Sequence, residues 1–446
     1  MSGLTRRLAT AWRVARAEGP RGAWDRARDR LDERHERERV TAASPGWLGH
    51  ASIVTVLGMP PWPRLGGVPT QLRNRFDVES EENPCVTLFP EGPDWRLERR
   101  HRGRIAVLEA GHAGFAEAAE RAMGEVGAEA LHVEGLAGLP LEGLSQLAAQ
   151  GARLILSVHD FSFFCPRPHL MERPMERFCG YCRDLDRCHA CLRRDYDVEP
   201  GFQARYRERA AALLRSAEAV IFPSSFLRDA HVDLVPGLDP ARLRVIEPGT
   251  PGRAGPAART SAARSNNGVP HVAWVGAVQV LKGALVFEQV VRRLQEEGLQ
   301  VRWTALGGGD ASLLARFRAL PGVAVRGYYR AGTLPAVLRG LDVDLALLLS
   351  ICPEAYGLTL DECWRAGVGA VAFDHGAMAE RIRRFGGGWL VPPHALAEGV
   401  VRAIRQALAG PFPAVPAPGL LADPAQAAAA HLDLYRDLGL LPVRSA

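Results

Sequence analysis

The chain has 446 residues, 47% of them hydrophobic and 24% charged, which is the composition of a soluble globular protein too long for one core, so two domains are expected. The formal net charge is +5, and residues 1–40 alone hold eleven arginines against seven acids, so the rest is close to neutral, which excludes an extended nucleic-acid footprint. No apolar run reaches the length of a membrane span, and the N-terminus lacks the apolar stretch of a secretory signal, so a cytoplasmic protein is expected.

Residues 1–45 form an Arg-rich arm expected to be helical, with Leu4, Leu8, Trp12 and Ala15 on one face. Two readings fit it. One is a helix lying on an anionic membrane surface with Trp12 at the interface, which makes the protein peripheral on the cytoplasmic membrane. The other is a helix packed on the body of the protein.

Residues 46–250 are expected to form a first Rossmann-like domain. A buried strand at 52–57 leads through a loop at 58–67 to a helix at 68–75, the opening of a doubly wound sheet. Gly66 and Gly67 at the helix entry let backbone approach a phosphate or an acceptor closely. Strand-like runs at 104–108, 130–133, 154–158 and 219–222, mostly separated by helical stretches, predict a largely parallel sheet with helices on both faces. His159 and Asp160 follow the strand at 154–158, which puts His159 at a strand end where ligands bind. The ordinary alternative for such a histidine is a hydrogen-bonded structural role.

A cysteine-rich insertion occupies 165–194. Five of the eight cysteines lie there: Cys165, Cys179, Cys182, Cys188 and Cys191. The pairs Cys179-x-x-Cys182 and Cys188-x-x-Cys191 have the spacing of thiolate knuckles, which predicts one structural zinc held by four of the five. Disulfides, disfavoured in the cytosol, and an iron–sulfur cluster are the alternatives. Cys85, Cys352 and Cys363 are scattered and read as small core residues.

Residues 251–269, small, polar and rich in Pro and Gly, read as a linker. Residues 270–420 repeat the alternation, with strands at 272–275, 301–306, 323–326, 345–349 and 370–373, and 421–446 end the chain with a helix. The expected fold is α/β: two Rossmann-like doubly wound domains facing each other across a cleft. In the second, a strand followed by a turn at Gly276 and then Lys282-Gly283 fits a diphosphate site, where a lysine supplies a mobile point charge. Gly307-Gly308-Gly309-Asp310 and Gly327-Tyr328-Tyr329 each follow a strand. Asp342-Val343-Asp344 has the form of a metal-holding pair but leads into a buried strand, and reads as strand entry. Glu354 and Glu362 stand eight residues apart around Gly357. Glu354 lies in a loop at the carboxyl end of a strand, the amides of Gly357, Leu358 and Thr359 can face an anion at a helix N-terminus, and Glu362 lies one turn into that helix.

This stretch resembles the E-x7-E motif of retaining glycosyltransferases with the GT-B fold, especially family 4. The resemblance covers roughly residues 50–440 and is most specific at 353–381. Lys282 matches the lysine of the family's Gly-Arg-x(4)-Lys-Gly motif, whereas Ala277 stands where that motif has arginine, with Arg381 a candidate substitute. His375 to Arg381 is similar to the family's donor-sugar loop. The His-Asp strand end followed by cysteines resembles certain members that build surface polysaccharides.

The resemblance implies transfer of a sugar, with retention, from a nucleotide-diphosphate donor to a glycan or lipid-linked acceptor. It implies that Lys282 and the amides at 357–359 stabilise the leaving diphosphate. Glu354 would hold hydroxyls of the donor sugar, Glu362 the ribose, and Tyr328 would stack on the base. His159 would orient the donor sugar or the acceptor. The zinc would be structural, with no catalytic metal. Two other functions fit these features: a sugar-nucleotide epimerase of the same fold, and a non-catalytic zinc-containing binding protein.

Overall fold

The computed structural model describes residues 18–32, 40–42, 49–60, 66–111, 114–251 and 268–443. The Leu4, Leu8 and Trp12 stripe and most of the 251–269 linker lie outside them. The chain divides into two compact units, one of residues 33–249 and 422–446 and the other of residues 1–32 and 250–421.

The first unit is built on a nine-stranded sheet. In chain order its strands are β1 (Val40–Ala42), β2 (Ile53–Val56), β3 (Cys85–Glu91), β4 (Asp94–His101), β5 (Arg104–Gly111), β6 (Ala130–Glu134) and β7 (Arg153–Ser157); a separate small hairpin, β8 (Met171–Glu172) and β9 (Arg177–Phe178), precedes β10 (Ala219–Phe222) and β11 (Leu243–Val245). The order across the large sheet is β1-β5-β4-β3-β2-β6-β7-β10-β11. All pairings are parallel except β3 with β4 and β4 with β5. The strands β6 and β10 are buried along their whole length; β10, Ala-Val-Ile-Phe, accordingly reads as a continuous apolar run, while β6 also buries His132 and Glu134. The β3–β4–β5 meander has a charged middle strand, Asp-Trp-Arg-Leu-Glu-Arg-Arg-His, held by its two antiparallel ladders rather than by apolar content. The helix Pro424–Asp437, opened by an Asp423–Gln426 capping box, returns to this unit. It buries Leu432, Leu434 and Tyr435 with Ile155, Ala219 and Ile221.

The second unit is a parallel sheet of β12 (His271–Val275), β13 (Arg302–Leu306), β14 (Val323–Gly327), β15 (Leu345–Leu348), β16 (Gly369–Phe373) and β17 (Gly388–Val391). Its order is β14-β13-β12-β15-β16-β17, every pairing parallel. The chain builds outward from β12 to β14, then returns to lay β15 on the other side of β12. The topological switch point therefore falls between β12 and β15, and the crevice outside their carboxyl ends is where an open α/β sheet binds ligands. One face of the sheet packs Trp274, Phe287, Trp303 and Phe317 into a single aromatic cluster. Residues 18–32 are helical and belong to this unit. Among the described residues no helix is long and apolar enough to cross a membrane.

Candidate active site

Lys282, Glu354 and Gly357, more than seventy positions apart at the extremes of that sequence span, come together at the β12–β15 switch point. After β12 the chain turns at Gly276 and reaches a short 3-10 turn, Val280–Lys282, closed by Gly283 at φ +80°. A Cβ at Gly283 would overlap the backbone of Leu349, so this glycine is required both by its left-handed conformation and by the close approach of the β15 segment. The tight turn holds Lys282 against the loop after β15, where its ammonium pairs with Glu354 Oε1. The Ser350 hydroxyl donates to the same oxygen at 2.6 Å. Both charged side chains remain partly exposed, 29% for Lys282 and 21% for Glu354.

The loop after β16 completes this floor. The backbone N–H of Ala377 donates to the Glu354 carbonyl at 2.9 Å, and His375 Nε2 lies 2.9 Å from the Ser350 carbonyl. Gly376, at φ +72°, sits so close that a Cβ would come 2.7 Å from Glu354 N. Gly357, at φ +85°, opens the helix Leu358–Arg365 and aims the first-turn amides of Leu358 and Thr359 away from the helix.

Within that helix the two acids behave differently. Asp361 is fully buried and pairs with Arg381, accepting further hydrogen bonds from Thr250 Oγ1 and Tyr356 OH at 3.2 Å each. Arg381 lies over the Tyr356 ring at 4.0 Å and is 2% exposed. It is part of the core, not a cation open to a phosphate, so it does not replace the arginine absent at Ala277. Glu362 is also buried, at 9% exposure. Burial raises its pKa to about 7, partly opposed by a hydrogen bond from the Gly332 backbone. A carboxyl group placed this way has lone pairs suited to hydroxyl donors. Tyr328 directly follows β14. Its hydroxyl donates to Asp29 Oδ2 at 2.6 Å, and the Arg26 guanidinium lies 4.5 Å from its ring centre. Asp342 and Asp344 are at the entry of β15, where Asp344 accepts from the His271 backbone at 2.8 Å.

In the first unit, His159 follows β7 and its Nε2 lies 2.7 Å from Glu134 Oε2 at the end of β6. Glu134 is fully buried, with Arg75 Nη1 2.7 Å from its other oxygen. Burial works against the Glu134 charge, but Arg75, His132 and the bond from His159 outweigh it and hold the carboxyl well below its ordinary range. His132 Nδ1 lies 2.6 Å from Tyr435 OH and its Nε2 lies 2.8 Å from Ser157 Oγ; burial lowers its pKa to about 4, so it is neutral. Sequence reasoning singled out His159 but not Glu134 or Arg75. The available signal was Glu134 closing the apolar strand 130–133, an acid at a strand end one strand away from His159. Gly66, at φ +111°, caps the helix Gly67–Glu82 that carries Arg75.

The zinc expectation is corrected. Among the described residues, no three His, Cys, Asp or Glu side chains are arranged to hold a metal ion. The five cysteines do line one small cavity, together with Phe164, Leu170, Leu192 and Arg207. Their sulfurs are engaged elsewhere. Cys182 Sγ lies 3.7 Å from the Asp184 carbonyl and Cys188 Sγ 3.6 Å from the Cys182 carbonyl, while Cys191 Sγ accepts from the Arg173 N–H at 3.3 Å. Arg207 donates to Cys188 Sγ at 3.5 Å while stacking on Phe164, which puts a cation beside the sulfurs. Burial pushes the Cys165 thiol up to about 11 and the Cys188 thiol up to about 12. Spacing alone suggested knuckles, but ligation also needs the sulfurs to converge on one point. The narrower resemblance, to family members with a metal-binding cysteine cluster, falls with it.

Comparison with known proteins supports the broader one. Residues 269–409 match the family model of glycosyl transferases group 1. No curated protein matches the sequence significantly. Among solved structures, the sucrose-phosphate synthase of Thermosynechococcus elongatus superposes with a TM-score of 0.56 at 16% identity, covering 87% of this chain and 99% of that one. The α,α-trehalose-phosphate synthase (UDP-forming) of Burkholderia xenovorans, solved with glucose-6-phosphate, gives 0.56 at 12% identity over 87% and 99%. HepE of Anabaena, solved with UDP and glucose, gives 0.54 at 13% identity over 87% and 100%. At such identities these likenesses establish the two-domain α/β GT-B fold. The family match over part of the second unit supports general glycosyltransferase activity.

Proposed function

We propose that the protein transfers a sugar, with retention, from a nucleoside diphosphate sugar to a hydroxyl of a glycan or lipid-linked acceptor. The observation that carries this reading is the Lys282–Glu354–Ser350 cluster at the switch point of the second unit, beside the first-turn amides of Leu358 and Thr359. Cation, hydroxyl acceptor and anion-facing amides are the groups that a diphosphate bonded to a sugar requires side by side.

On this reading Lys282 leaves Glu354 for the donor diphosphate, and Glu354 then accepts hydroxyls of the transferred sugar. As the bond between sugar C1 and the diphosphate oxygen breaks, charge grows on that oxygen, and Lys282 with the helix amides stabilises it. The acceptor oxygen bonds to C1 from the face the diphosphate leaves, and its proton passes to the departing phosphate. No carboxylate forms a covalent bond to the sugar. Glu362 takes the ribose hydroxyls. His159, its ring fixed by Glu134, orients the donor sugar or the acceptor. A site at the cytoplasmic face of an anionic membrane is part of the same reading, and it rests on Leu4, Leu8 and Trp12. Removing residues 1–17 should then lower sedimentation with anionic liposomes.

The test is calorimetry with UDP, GDP and dTDP and their sugars, followed by Lys282→Ala and Glu362→Ala. At least one nucleotide should bind, Glu362→Ala should weaken it about tenfold or more, and Lys282→Ala should lower turnover more than binding. Unchanged nucleotide affinity in Glu362→Ala would remove the ribose role, and no binding across the panel would remove the reading.

A further inference from the structure

The helix at 18–32 covers the loops that follow β13 and β14. Glu18 is 5% exposed. Its backbone oxygen stands where a Cβ on Gly327 would go, and its carboxylate would lie 2.5 Å from a Cβ on Gly308. Arg26 Nε donates to Glu18 Oε2 at 2.6 Å, and the same guanidinium stacks on Tyr328. Asp29 takes the Tyr328 hydroxyl and, at 2.8 Å, Arg330 Nε; Arg330 also pairs with Asp32. A Cβ at Gly22 would lie 2.9 Å from Tyr328 N. The helix thus seals both the backbone of the two glycine loops and one face of Tyr328.

Those loops lie on the open side of the candidate site. From the β12–β15 switch point, the β16 side is filled by His375, Gly376 and Ala377 packed on Ser350 and Glu354. On the other side β13 and β14 follow β12 at strand spacings of about 5 Å each, so their loops are within the reach of a nucleoside diphosphate anchored at Lys282. Gly332, which donates to Glu362, belongs to the loop after β14.

We propose that residues 18–32 are a built-in strap that competes with the nucleoside end of the donor for the loops after β13 and β14. It rests on the nucleotide-sugar reading of the site above. In the docked state the diphosphate end stays accessible while the nucleoside end is closed. Donor binding therefore requires the strap to leave, and the apparent dissociation constant rises by the inverse of the fraction of molecules in which it has left. Much of the attachment is ionic, with Asp32 56% exposed, so salt should favour release.

The experiment compares the full chain with its Asp29→Asn/Asp32→Asn variant and with a chain lacking residues 1–32. UDP, GDP and dTDP serve as nucleoside probes and inorganic pyrophosphate as the control. Both altered proteins should bind the preferred nucleoside diphosphate about tenfold more tightly, corresponding to a strap open about 10% of the time, with pyrophosphate affinity unchanged. Nucleotide should also speed amide hydrogen exchange across 18–32 in the full chain. If the folded double variant binds nucleotide equally or more weakly, the helix is a neutral or contributing wall and the strap is overturned. If no nucleoside diphosphate binds any form, the nucleotide reading falls and takes the strap with it.

Discussion

Glu362 and Glu134 are both buried glutamates, and their surroundings drive them in opposite directions. Glu362 has a folded pKa of about 7, above the ordinary 4.5, because burial disfavours its charge. The folded state therefore holds its proton more tightly than the unfolded chain does. The stability this provides is full below about pH 4.5 and is lost as pH rises through about 7, by an amount on the order of 3 kcal/mol at most. Glu362→Gln should remove that dependence. Urea unfolding at pH 5 and pH 8 should show the variant gaining on the parent at pH 8, and parallel losses in both proteins would contradict the assignment. Glu134 is the reverse case, held ionised between Arg75 and His159. Glu134→Ala would strand the Arg75 guanidinium beside Glu79 alone and should cost roughly 3–5 kcal/mol. Glu134→Gln, which keeps the shape, should cost clearly less in denaturant unfolding. The place of His159 just past a strand end was legible in the sequence. Its partner was not, because Glu134 lies 25 positions away and meets it only through the β6–β7 register.

At the scale of elements, the turn after β12 is the part most sensitive to a single methyl group. Gly283 lies at φ +80° and its missing Cβ faces Leu349 backbone, which cannot rotate away as a side chain would. Gly283→Ala should therefore displace the Lys282 turn from the β15 segment and cost about 1–3 kcal/mol of stability. Pyrophosphate titration should show weaker binding even where the variant remains folded, and unchanged affinity would separate the turn from the anion site. The motif spacing exposed this turn and the Glu354 loop because each follows a fully apolar strand. The sequence pattern gives β5, at 104–108, but not the β3–β4 part of the meander, because the charged strand β4 carries little apolar pattern and exists through its two ladders. The cysteine segment shows the limit of spacing in another way. Cys188 and Cys191 do share a helix, Leu185–Leu192, yet Arg207 and nearby carbonyls engage the sulfurs.

Across the whole molecule, each unit is closed by a segment from the far end of the chain. Residues 422–446 return to the first unit, where Tyr435 reaches His132 and Leu432 and Leu434 enter the core. Truncation after Leu421 should lower the melting temperature of the first unit by several degrees or prevent its folding. Pyrophosphate binding by the second unit should survive, and limited proteolysis should show its fragment protected. Equal loss of both units would mean that they unfold as one.

The sequence by itself determined what depends on neighbours along the chain: the buried strands, the glycine turns after them, and the order of Lys282, Glu354 and Glu362 in loops or helix starts at strand ends. These follow from hydrophobic period and backbone sterics, which act over a few residues. Tertiary structure alone decided that Lys282 and Glu354 pair, that Arg381 is buried on Asp361, that Glu134 holds His159, and that residues 18–32 lie over Tyr328. Each of those contacts joins distant positions. Its strength depends on burial, orientation and competing partners, and these exist only once the sheets have set which loops meet.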